Sequence, residues 1–151
     1  MPKIDIVDIR EKVEEIVILF MDEEAELLTN NSSEQAITHR LAVMLEQNFN
    51  GWNVDCEYNR NQDTIKRLRY TISPDRPIEE RDVVPDIIVH KRMTENNLLV
   101  IEVKKSTNPE SEAKDLAKLS AFKEQLGYQN ALFIRFLVGT DKPNIQHMEW
   151  V

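Results

Sequence analysis

Residues 83–106, VVPDIIVHKRMTENNLLVIEVKKS, constrain this chain more than any other stretch. Two apolar runs, VVPDIIV and NLLVIEV, flank a polar connection. Both are apolar at nearly every position, so both read as strands buried on both faces. The connection around residues 94–97 is short, which makes them antiparallel neighbours over about 84–91 and 98–104. A carboxylate interrupts each run, Asp86 in the first and Glu102 in the second, and Lys104 follows Glu102 by two residues. Strand side chains alternate, so Glu102 and Lys104 share a face and Val103 points to the other. Such charges are almost never buried unpaired. If the register brings Asp86 to Glu102, the two carboxylates repel unless a cation lies between them. Oxygen donors of this kind favour Mg²⁺ or Mn²⁺.

The rest of the chain supplies elements around these strands. Residues 5–29 read as one long amphipathic helix. Ile6, Ile9, Val13, Ile16 and Phe20 follow a 3, 4, 3, 4 spacing, with Leu27 one heptad on and Glu23 breaking the seam. The seam either packs on its own domain or also joins a homodimer. A second helix is expected from about 32 to 48, with Ser32 and Gln35 as a capping box. Its stripe is Ile37, Leu41, Met44, Leu45 and Phe49, and Glu34 lies at the end of that stripe. An inward carboxylate needs a pair or a metal, yet a first-turn glutamate also suits the helix dipole, so both readings stay open.

After the Asn50-Gly51 turn, WNVDCEY alternates as a half-buried strand, with Trp52, Val54, Cys56 and Tyr58 on one face. Cys56 is expected to pack there as a small apolar residue. Residues 59–82 carry a basic patch, Lys66, Arg67 and Arg69, and two prolines. They read as an irregular excursion with a short edge strand near 68–72. Residues 110–126 form a helix with Ala113, Leu116, Leu119 and Leu126 inward, stopped by Gly127. ALFIRFLV is a further buried strand, and IQHMEWV a final edge strand. The expected fold class is α/β, a mixed sheet with helices on both faces.

Composition limits the function. The net charge of -8 argues against a broad basic face for nucleic acid. Residues 1–30 hold nine acids against three bases, so -6 of the total belongs to the first helix. A small active site on the core remains compatible with that. No apolar run approaches the ~18 residues of a membrane span, so no membrane partner is expected. A single cysteine fits a reducing, cytoplasmic setting. His39, His90 and His147 show no zinc-ligand spacing.

P-D, a gap of 15 residues, then E-V-K resembles the motif of the PD-(D/E)xK nuclease superfamily. The order of elements over residues 32–138 is similar too. The resemblance implies a restriction-endonuclease-like sheet over residues 31–151, with residues 1–30 as an extra acidic helix for packing or dimerisation. It implies a Mg²⁺- or Mn²⁺-dependent nuclease, on DNA more readily than RNA. Carried over residue by residue, Asp86 and Glu102 are metal ligands, Val103 lends its backbone carbonyl, and Lys104 is the catalytic lysine. Glu34 matches the helix glutamate that many members add as a further ligand, and Glu57 is a weaker candidate. Tyr58 and Arg60, ending the first strand, would border the cleft. Lys118 either reaches the phosphate or forms a surface ion pair with Asp115, three residues before it. The alternative reading is a non-catalytic nuclease-like domain used in nucleic-acid binding or protein assembly.

Overall fold

The computed structural model describes the backbone of residues 6–57, 60–61, 64–65, 67–70, 79–82 and 84–151, and the side chains of residues 8–57 and 84–151. The fold is α/β. Among the described residues there are four helices and one five-stranded mixed sheet, with two small hairpins beside it. The helices are α1 (Ile6–Glu23), α2 (Ala25–Thr29), α3 (Glu34–Asn48) and α4 (Ala113–Leu126). In chain order the strands are β1 (Asn53–Cys56), β2 (Arg60–Asn61), β3 (Thr64–Ile65), β4 (Arg67–Tyr70), β5 (Glu79–Asp82), β6 (Ile87–His90), β7 (Asn97–Lys105), β8 (Asn130–Leu137) and β9 (Asn144–Trp150).

The main sheet runs β1-β6-β7-β8-β9. Its neighbours are antiparallel except β7 and β8, which are parallel and joined through α4. A parallel pair needs such a crossover, and a helix supplies it. β6 is buried throughout and β7 over all but its last residue, as strands covered on both faces must be. One face carries Ile87, Val89, Leu99, Ile101, Val103, Leu132, Ile134 and Phe136 against α1 and α3. The other carries Ile88, Val100, Ala131 and Phe133 against Leu119 and Phe122 of α4. Gly127 ends α4 with φ 69°, the left-handed residue that closes a helix.

The N-terminal seam is spent inside the molecule. Ile9, Val13, Ile16 and Phe20 are all buried in the core that α3 and the sheet share, and Phe20 meets Phe136 at 5.5 Å between ring centroids. The described residues of that seam thus pack on their own domain. The expected single helix over 5–29 is also two. Glu24 leaves helical geometry (φ -111°, ψ 27°), and beyond the break Leu28 is fully buried while Leu27, the expected position, is partly buried against the same core. The cap of α3 is Ser33 and not Ser32; its hydroxyl accepts from Ala36 N at 3.1 Å. Asn31 takes the left-handed conformation (φ 53°), and the extra turn delays the helix start by one residue.

The expected edge strand near 68–72 is β4, paired with β5 in a hairpin of its own and not with the main sheet. Tyr58, Asn59 and the Arg60 side chain, expected at the cleft border, lie outside the described residues, as do the Ile6 and Lys66 side chains. No helix among the described residues is long and apolar enough to cross a membrane.

Candidate active site

The register of β6 and β7 decides where the two carboxylates go. Ile87 pairs with Ile101, so one step outward Asp86 stands opposite Glu102 on the α4-facing side. Asp86 is held from two directions. Its Oδ2 accepts the Val103 amide at 2.8 Å, and its own carbonyl accepts the Glu57 amide at 3.2 Å. The first bond directs the carboxylate along β7, and the second fixes the backbone that carries it.

Glu102 is buried, with 3% exposure. Burial pushes its carboxyl well above the usual range, and the Asp86 carboxyl beside it pushes the same way. Lys118 opposes both, with Nζ 2.8 Å from Glu102 Oε1. At that distance the two form an ion pair inside the protein, with Lys118 the counter-charge to Glu102. Burial works against the charge on Lys118, but Glu102, Asp86 and Asp115 outweigh it and hold the ammonium above its ordinary value.

Lys104 shares the face of Glu102 and is also buried. Its ammonium is paired with Asp115 of α4, and Glu110 lies 3.6 Å away. Asp115 and Lys118 therefore do not pair as a surface couple; each reaches down to a strand charge of opposite sign. The signal was in the sequence. Asp115 precedes Leu119 by four and Lys118 precedes Phe122 by four, which puts both on the inward stripe of α4.

Glu34 sits at the far side of the sheet end. Its Oε1 accepts the Lys105 amide at 3.0 Å and Asn108 Nδ2 at 2.8 Å. Glu34, Glu57, Asp86, His39 and Cys56 line a cleft of about 670 Å³. Cys56, expected inward, is exposed there because β1 ends at it and its side chain runs past the edge of the core. Partial burial and the Glu57, Asp86 and Asp55 carboxylates raise its thiol, which keeps it protonated and unreactive. The Val103 side chain is buried in the α1/α3 core, and its amide serves Asp86.

Arg135 of β8 was not singled out from the sequence. It is 8% exposed and stands beside Lys104 in the parallel register. Nε donates to Glu112 at 2.8 Å, Nη1 to the carbonyls of Lys105 and Asn108, and Nη2 to that of Glu110. One guanidinium thus pins the loop between β7 and α4, and that loop carries Asn108 to Glu34. A lone charge inside ALFIRFLV was the available signal, of the same kind as Glu102 in its own strand.

A second polar cluster lies further along β6. The buried His90 Nε2 is 2.6 Å from Asp55 Oδ2, and Arg92 Nε donates to the same oxygen at 2.9 Å. Burial alone would raise the Asp55 carboxyl; Arg92 and His90 outweigh it and hold it below its ordinary value. A depressed carboxyl contributes stability above its unfolded pKa of about 3.9 and loses it as pH falls through the folded value. Asp55→Asn should therefore cost about 1 kcal/mol near neutral pH. The gap from wild type should narrow in thermal melts run below about pH 3. A gap that widens on acidification would place the effect elsewhere.

Among the described residues, no three His, Cys, Asp or Glu side chains are grouped to hold a metal ion. Glu34 faces the same cleft as Asp86 without joining Asp86 and Glu102 in one cluster. Mg²⁺ does not require three protein ligands; one or two carboxylates with water and substrate oxygens suffice. Two converging carboxylates, Asp86 and Glu102, fit that demand.

No protein-family model, curated protein or solved structure matches the chain.

Proposed function

We propose that this protein is a divalent-metal-dependent nuclease that hydrolyses phosphodiester bonds, of DNA ahead of RNA, on a restriction-endonuclease-like sheet. The observation that carries the reading is the cross-strand meeting of Asp86 and Glu102 at the sheet end, with Lys104 two residues on along the same face. The preference for DNA rests on the resemblance of P-D and E-V-K alone.

Asp86 and Glu102 would hold Mg²⁺ or Mn²⁺. Such an ion, when bound, lowers the pKa of a water and relieves charge on the phosphoryl oxygens. The chain's own residues do the positioning. Val103 N fixes Asp86. Asp115 pairs with the Lys104 side chain and directs it, so that it stabilises negative charge developing beside Glu102. Arg135 pins the loop whose Asn108 holds Glu34 at the cleft wall.

A second reading has a specific observation behind it. Lys118 neutralises Glu102 and Asp115 neutralises Lys104, so the charges on β7 are already balanced within the chain. A nuclease-like domain used only for assembly or binding would look the same.

The two readings separate in one assay. The purified protein is incubated with single-stranded, duplex and branched DNA and with RNA, in Mg²⁺ or Mn²⁺. Cleavage of at least one substrate is expected, and chelation with EDTA should abolish it. If all substrates survive both ions, the non-catalytic reading stands.

A further inference from the structure

Lys118 is placed as a metal ion would be. Its Nζ lies 2.8 Å from Glu102 Oε1 on β7 and 3.1 Å from the Val84 carbonyl, two residues before Asp86 on the approach to β6. One cation thus bridges oxygens from both arms of the site. It comes from α4, whose Leu119 and Phe122 are buried in the core, so the helix is anchored close to the carboxylates. The lysine side chain itself is 15% exposed, and a flexible four-carbon stem can withdraw without moving the helix. Asp115, one turn earlier on α4 and itself near Lys118, offers the ammonium another carboxylate.

Charge counting shows what this placement does. With both ionised, as a bound divalent ion would require, Asp86 and Glu102 place two negative charges at one point, and a lysine supplies one positive charge. A divalent ion supplies two, with a smaller radius and more ligand positions. Lys118 is thus sufficient to let the two carboxylates coexist in the fold and insufficient to balance them.

We infer that Lys118 is a resident cation that occupies the Asp86–Glu102 pair in the metal-free protein, and that a divalent ion binds by exchanging with it. The inference rests on the metal-dependent reading of the same site and adds a control element to it. Metal affinity is set by competition with a tethered ammonium, and every binding event releases Lys118 from Glu102. The role is one of gating the ion, distinct from contact with the reacting atoms.

The test is calorimetric titration of Mn²⁺ into wild-type protein and into Lys118→Met, which keeps an unbranched stem one atom shorter and removes the charge. Removal of a unit charge a few ångströms from the ion should tighten Mn²⁺ binding by about tenfold or more. The same variant should melt earlier than wild type without metal and gain more from saturating Mn²⁺. Equal or weaker binding by Lys118→Met overturns the exchange and leaves the metal site standing. No binding by either protein overturns both the exchange and the metal-dependent reading. Should Lys118→Met fail to fold, ¹⁵N spectra of the lysine ammonium groups in wild-type protein decide the matter. A shift of the Lys118 signal in step with Mg²⁺ saturation supports exchange, and an unmoved signal during Mg²⁺ binding overturns it.

Discussion

Asp86→Asn should lower Mg²⁺-dependent cleavage on the order of 10³-fold while leaving the fold intact. The amide keeps an oxygen at the position of Oδ2, so the Val103 amide retains its acceptor at the end of β7. What disappears is one of the two negative charges. The site then holds Glu102 and Lys118 as a balanced pair, with nothing left to attract a divalent ion. Stability should not fall, because Asp86 is one of the groups that push the Glu102 carboxyl upward, and its removal relieves that repulsion. The expected pattern is therefore an inactive variant with an unchanged or slightly higher melting temperature. Activity within about tenfold of wild type would remove Asp86 from the metal site.

Arg135→Met should be the most destabilising single change among the residues discussed. The guanidinium is nearly buried and bonds four oxygens, one from Glu112 and three from the chain between Lys105 and Glu110. Methionine fills much of the volume and supplies no donor. Breaking a buried charge pair in this way costs about 3–5 kcal/mol. For a chain of this size that is a fall in melting temperature on the order of 10 °C. Arg135→Lys should recover less than half of it, since an ammonium cannot reach oxygens spread along a planar fork. The loop would also lose its hold on Asn108, and through it on Glu34, so activity should drop in whatever fraction remains folded. A melting temperature within about 2 °C of wild type would show that the loop is held by something other than this residue.

The central strands were readable because their pattern has one physical solution. Runs of five or six apolar residues with a single carboxylate must be covered on both sides, and β6 and β7 are. Gly127 could be placed because only glycine takes a left-handed turn there without cost. The remainder depended on contacts between elements. Periodicity assigns Leu27 and Leu28 equally well to a buried face, and only the break at Glu24 chooses Leu28. Ser32 and Ser33 are equally good caps, and the backbone of Asn31 selects the second.

The site divides along the same line. Glu102 and Lys104 declared themselves as charges on a buried strand. Their partners Lys118 and Asp115 looked like an ordinary i,i+3 surface pair, because spacing along a helix says nothing about which charges lie beneath it. Arg135 was overlooked for a related reason: its four acceptors belong to a loop with no sequence signature. Glu34 stood open between an inward carboxylate and a dipole-favoured first-turn glutamate, and its partners Lys105 N and Asn108 could be known only once β7 and α3 were in place.

The proposed activity needs one divalent ion held by Asp86 and Glu102. Anomalous diffraction from a crystal soaked in Mn²⁺ tests that directly. The expected result is a single strong peak within bonding distance of both carboxylates, with the Lys118 ammonium displaced from Glu102. A crystal with Lys118 still on Glu102, and with manganese absent or bound only elsewhere in the cleft, would contradict it.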